Sequence, residues 1–149
     1  MTTPAHYRLK SETLQVTPSG QSAVDITGVQ SVPFAYGGQT IDLASDSSEV
    51  IQEIVLNAIK GNLSIEGIAQ LFFNEATLPL GACSVTFTME RVATGRGAVS
   101  GADKIVTITN CVLVSKDTGV ASGAGSNISL NFEVAADTNG KFFVFSDPS

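Results

Sequence analysis

The sequence predicts a mainly β domain, a β-sandwich or small barrel of about seven to eight antiparallel strands that carries one amphipathic α-helix. Three observations lead there. Apolar residues alternate with period two through most of the second half, Gly, Pro and Asn-Gly signals punctuate the alternating runs, and one early stretch has helical spacing instead. The chain has 149 residues, the size of one ordinary domain, and neither an internal repeat nor a linker divides it. A single domain over 1–149 is therefore expected, entered through an extended polar arm at residues 1–11.

Residues 13–17 (TLQVT) and 22–27 (SAVDIT) alternate on either side of Pro18-Ser19-Gly20, which reads as a hairpin. The stretch 29–36 is apolar, but Pro33 cannot donate to a ladder, so an edge strand or extended loop is expected. Gly37-Gly38 reads as a turn, followed by a short strand at 39–44.

The helix is expected from about Ser47 to Lys60. Asp46 suits the N-cap and Glu49 can reach back to it, while Ile51, Ile54, Val55, Ala58 and Ile59 form one apolar stripe. Lys60 complements the dipole at the helix end, and Gly61 suits the left-handed residue that closes a helix.

Beyond it the period changes to two. Residues 62–73 read as a long strand with a break at Gly67, and 78–81 as a turn. In 83–92 (CSVTFTMERV), Cys83, Val85, Phe87 and Met89 share one face of a half-buried strand. Residues 104–115 and 127–135 are further strands, each preceded by a long loop of small residues, at 93–103 and 116–126. Thr138-Asn139-Gly140 reads as a hairpin turn that joins 127–135 to a last strand at 141–146.

Composition limits what such a domain does. Apolar residues make up 43% of the chain and charged ones only 15%, well below the usual ~25%. Together with a positive mean hydropathy, this implies apolar surface left exposed on an isolated subunit and covered in an assembly with other copies. The net charge is -6, and the eight basic residues are scattered singly, so tight nucleic-acid binding and attraction to anionic membranes are disfavoured. No apolar run approaches the ~20 residues of a membrane-spanning helix, and the first ten residues lack a signal-peptide core. Synthesis in the cytosol follows, which makes Cys83 and Cys111 free buried thiols on expectation; two cysteines do not by themselves fix a pairing. The acceptor triplets at Asn62 and Asn127 have no meaning without secretion.

The parts for catalysis are missing. His6 is the single histidine and lies in the arm, so no Ser-His-Asp or Cys-His arrangement can be assembled. Two distant cysteines without a second histidine do not form a zinc site, and Asp42, Asp46 and Glu49 have strand-end or capping roles. Gly95-Arg96-Gly97 and Gly123-Ala124-Gly125 lack the strand-to-helix context and the Lys-Thr of a phosphate loop. A sugar site needs exposed aromatic platforms, whereas there is no Trp and most Phe fall within strands. No enzyme, cofactor or metal is expected.

At 41–67 (IDLASDSSEVIQEIVLNAIKGNLSIEG) the chain resembles the tail tube proteins of tailed bacteriophages, in the order of strand end, Ser/Asp helix start, helix and Ser-Ile-Glu-Gly strand. Residues 105–115 and 128–143 resemble the closing strands of that family. The resemblance implies stacked, hexameric rings forming a hollow tube for DNA, with subunit sheets joined edge to edge around an acidic lumen that repels phosphates. It implies partners among other copies of the chain and other virion structural proteins, and a place in the virion tail. Candidate contacts between subunits are His6 and Tyr7 of the arm, and Arg91, Arg96, Asp103 and Lys104 at the loop 93–103. The rival expectations are a capsid decoration protein and a soluble ligand-binding β domain such as a lectin.

Overall fold

The computed structural model describes residues 6–10, 12–44, 50–68, 78–92, 103–119 and 127–148. Nine strands run through them: β1 (His6–Leu9), β2 (Gln15–Pro18), β3 (Val24–Asp25), β4 (Phe34–Leu43), β5 (Glu53–Ile68), β6 (Gly81–Val92), β7 (Lys104–Gly119), β8 (Asn127–Val134) and β9 (Val144–Ser146). All pairings are antiparallel, in one sheet of order β3-β2-β6-β7-β8-β5-β4 with β1 added to β6 and β9 to β7. The end strands β3 and β4 do not pair with each other, so the sheet is not closed into a barrel.

Period-two alternation builds the core. Val85 and Phe87 of β6, Val106 and Ile108 of β7, and Leu130 and Phe132 of β8 point to one side, as do Leu63 and Ile65 of β5. With Val16, Ile26 and Leu78 they form a single buried cluster, and no buried polar side chain interrupts it among the described residues. The opposite face is wet. There Ser64 donates to Asn131 at 3.0 Å, and Asn131 donates to Ser115 at 3.1 Å and to Asp117 at 2.7 Å, a polar row across β5, β8 and β7.

The helix expected from about Ser47 to Lys60 is not there. Residues 45–49, with Asp46 and Glu49, lie outside the described residues, 50–52 have no regular structure, and 53–60 are strand. The physical reason is that Leu56 fills the gap in the helical stripe. The run Ile54-Val55-Leu56-Asn57-Ala58-Ile59 is then apolar on both faces of a strand as readily as on one face of a helix. Stiff β-branched Ile54, Val55 and Ile59 favour the extended form, and β4 supplies ten residues of ladder to pair with. Lys60 meets Glu133 on β8 at 2.8 Å instead of a helix end. Gly61, expected to cap the helix, lies opposite Val134, where an added Cβ would come within 3.1 Å of that side chain.

Two turns also differ from expectation. Gly37-Gly38 does not reverse the chain; β4 runs through it with a register shift. The Thr138-Asn139-Gly140 turn forms, with the Asp137 carboxylate accepting from the amides of Asn139 and Lys141. Yet the strand it launches pairs with β7, Ile105 opposite Ser146, not with β8. At Val134 both edges of β8 are already taken, by Gly61 of β5 and Cys111 of β7, so no hairpin partner remains there. The β2–β3 hairpin is as expected, with Gln15 opposite Asp25. The loop 116–126 is shorter than the spacing implied, since β7 continues to Gly119; 120–126 lie outside the described residues.

If the one-sided core holds the sheet together, Leu130→Ala should lower unfolding free energy by about 2–5 kcal/mol. On the outer face, Val112→Thr should change it by less than about 0.5 kcal/mol, both read from guanidinium unfolding curves.

Candidate assembly surface

The pairing of β5 with β8 begins at Gly61, so residues 53–60 of β5 have β4 as their neighbour and nothing of the sheet on the other edge. The result is a two-stranded ribbon that leaves the body. Residues opposite one another share a face: Ile41 with Val55 on one side, Thr40 with Leu56 and Asp42 with Ile54 on the other. Both faces are therefore apolar and both are in water. Ile54 is 64% exposed, Leu56 58% and Val50 69%. Two strands alone are marginal in water, which makes an uncovered apolar ribbon costly to keep.

The ribbon departs at a bulge. Between Gly37 and Gln39 the register shifts, and opposite it Ala58 takes φ 52°, a left-handed conformation uncommon for a residue with a Cβ. Gly38 has no alternative at this point, because a Cβ there would stand 2.6 Å from the Asn57 carbonyl oxygen.

At the foot of the ribbon the segment after the Gly140 turn crosses β4 and leaves an aromatic cleft of about 620 Å³. Tyr36 stacks on Phe142, ring centroids 5.5 Å apart and planes within 13°, and Phe34 packs on Phe143 at 5.0 Å. Phe34 also meets Phe87 edge-on at 5.8 Å, which ties the cleft to the core. Tyr36 is 67% exposed on the cleft side. Nine large apolar side chains between Tyr36 and Ile59 are exposed in all. Apolar surface of this kind, on both faces of the ribbon and in the cleft, is what partners cover in assemblies.

The residues singled out in the sequence fall elsewhere. His6 and Tyr7 pair with Val92 and Arg91 in the β1–β6 ladder, so this part of the arm lies on its own subunit. Arg8 holds Glu90 at 2.6 Å and Lys10 holds Asp103 at 2.9 Å. Lys104 is engaged with Asp147 near the other terminus. Tyr7 and Arg91 are exposed; Arg96 and the loop positions 93–102 lie outside the described residues, as do arm positions 1–5 and 11. Asp103 beside Lys10 and Asp147 beside Lys104 hold both ammonium groups above the ordinary lysine value of 10.5. A raised lysine is charged in the folded state at neutral pH, so these straps are complete there and are lost only as alkali carries the pH through the raised values.

Among the described residues no group of three or more His, Cys, Asp or Glu side chains is placed to hold a metal ion. No helix among them is long and apolar enough to cross a membrane.

Solved structures share this architecture. A chain of the anti-feeding prophage baseplate, solved with six-fold symmetry, aligns over 99% of this chain and 98% of its own, with TM-score 0.53 and 11% identity. The SPP1 tail tube protein aligns over 93% of this chain and 77% of its own, with TM-score 0.54 and 7% identity. No family model and no curated protein matches the sequence. The chain thus has the fold of tail tube and baseplate proteins, as the sequence resemblance implied.

The exposed ribbon and cleft should make the isolated subunit bind a hydrophobic fluorescent dye such as anilinonaphthalene sulfonate. Ile54→Thr with Leu56→Thr should reduce that fluorescence at least twofold without lowering the thermal midpoint, since neither side chain contributes to the core.

Proposed function

We propose that the chain is a structural subunit of a phage-like tail, acting by self-assembly into stacked, six-fold rings around a channel. The observation that carries this reading is the apolar ribbon of β4 and β5, exposed on both faces and open along both edges among the described residues. Its natural occupant is a second copy of the chain. Among the described residues, the outer edge of β4, ten residues long, has no strand partner and no Lys or Pro to discourage addition of one, and the fold shared with a baseplate and a tail tube protein supports a tail role. Edge pairing between neighbours continues a sheet around a ring, while the ribbon reaches beyond the body to cover apolar surface on another subunit. Heterologous contacts of this kind close into rings or run on as filaments.

Charge fits the same reading. The excess of fourteen acidic over eight basic residues gives a subunit whose assembled channel repels a nucleic-acid backbone, so that cargo slides without sticking. Function then requires no catalysis and no cofactor. Tyr7 and Arg91, exposed side by side on β1 and β6, are the contacts between rings that we retain from the sequence, together with Arg96. Asp103 and Lys104 serve first as anchors for the two ends of the chain.

Electron micrographs of concentrated purified protein should show six-fold rings or hollow rods. Ile54→Asp combined with Leu56→Asp should leave a folded chain by circular dichroism that sediments as a monomer. A wild-type chain that stays monomeric at millimolar concentration would overturn the proposal, and three-fold particles in the micrographs would favour a capsid decoration protein instead.

A further inference from the structure

Cys83 and Cys111 take no part in the surface described above, and the inference drawn from them does not depend on the assembly reading. They stand directly opposite each other on β6 and β7, with Sγ atoms 3.5 Å apart, and the Cys111 thiol lies 3.2 Å from the Cys83 carbonyl oxygen. Both are reduced and buried, 8% and 2% exposed. As core residues they fill space that any small apolar pair would fill. What two thiols in direct register add is chemistry.

Geometry favours bond formation. Opposed residues of antiparallel strands hold their Cα atoms about 4.5–5.5 Å apart, within the ~4.4–6.8 Å that a disulfide spans. Side-chain rotation therefore suffices, and the strands need not part. An approach also exists. The ladder shifts register between Cys83 and Val85, which loosens β6 beside the thiol, and a cavity of about 270 Å³ runs from the turn after β2 to both cysteines.

We propose that Cys83 and Cys111 form an oxidation site at which a peroxide-class oxidant, entering by this cavity, closes an intrachain disulfide that staples β6 to β7. The less buried Cys83 reacts first. Its thiolate attacks one peroxide oxygen, the O–O bond breaks, and the departing hydroxide takes a proton to give water. Cys83 is then a sulfenic acid. The Cys111 sulfur attacks the Cys83 sulfur, the S–S bond forms as the S–O bond breaks, and the released hydroxide leaves with the Cys111 proton as a second water. Two thiols lose two electrons in total, and hydrogen peroxide gains them. The electrostatics agree with this order: the hydrogen bond from Cys111 holds the Cys83 thiol below its ordinary value, while that same contact and burial push the Cys111 thiol up. The site stays reduced in a thiol-rich cytosol and closes in an oxidising medium.

The test uses the full chain, purified in reductant, desalted and exposed to excess hydrogen peroxide. It is then unfolded, alkylated with iodoacetamide and weighed intact. The expected product is an unalkylated monomer lighter by two hydrogens, restored to two adducts by prior reduction, with a thermal midpoint raised by roughly 5 °C. Two persistent adducts, oxygen additions without a link, or a dimer joined between chains would each overturn the proposal, and an unchanged or lowered midpoint would remove the staple. Cys111→Ser should accumulate a sulfenic acid at Cys83 that dimedone traps. A trapped sulfenic acid at Cys111 in Cys83→Ser, formed at the same rate, would reverse the assigned order.

Discussion

Competition for the edges of the long strand β7 governs the rest of the fold. Its residues 104–113 pair with β6 along one side, while the other side is shared by β9 at Ile105 to Thr107 and by β8 from Cys111 to Gly119. Where both edges are taken, no further strand can add. The C-terminal segment must therefore dock where β8 is absent, at Ile105 to Thr107, and in crossing to that place it lays Phe142 and Phe143 over the foot of β4. The aromatic cleft is a by-product of this competition for backbone partners. The same competition pushes β5 and then β4 to the end of the path, where pairing with β8 stops at Gly61 and the ribbon runs on alone.

What the ribbon lacks is as informative as what it contains. A solvated β-ribbon usually alternates apolar with polar, so that water meets one face only. Here Ile54 and Leu56 occupy one face and Ile41 and Val55 the other, so no orientation against the body hides both. Among the described residues, no contact within the chain covers both of these faces. The low charge content read in the sequence is concentrated in its effect at this ribbon, where side chains of the surface are those of a core.

The strands that build the core were legible because one physical rule decides them. Cys83 to Met89 and Ile128 to Val134 alternate cleanly, and alternation has one structural meaning when a single face is buried. Residues 51–60 carry no such constraint. The apolar residues among them fit a helical stripe as well as a strand apolar on both faces, and the choice falls to β4, a pairing partner that local periodicity does not weigh. The misreading of Gly37-Gly38 as a turn and of Gly61 as a cap has the same origin. Gly38 answers to close approach by Asn57 and Gly61 to that by Val134 with Phe143, contacts that exist only once the sheet has formed. Of the candidate contacts, Asp103 and Lys104 are engaged within the chain, with Lys10 and Asp147, partners that spacing along the sequence does not reveal. The signal that marks the surface was present in the run Ile54-Val55-Leu56, too apolar for any exposed element.

On the proposed reading, the chain has to reconcile solubility during synthesis with adhesion in an assembly. The acidic excess helps with the first, since like-charged chains repel over roughly a Debye length, ~8 Å at physiological salt. The ribbon provides the second, but only at contact distance, because burial of apolar surface has no long-range component. Repulsion therefore dominates between dilute subunits and adhesion dominates between subunits that are already oriented. Arg8, Lys10, Lys60 and Lys104 are each held by a carboxylate of the same chain. In the proposed assembly, specificity would then rest chiefly on shape and apolar fit at the ribbon and cleft, and the net charge would keep other encounters brief.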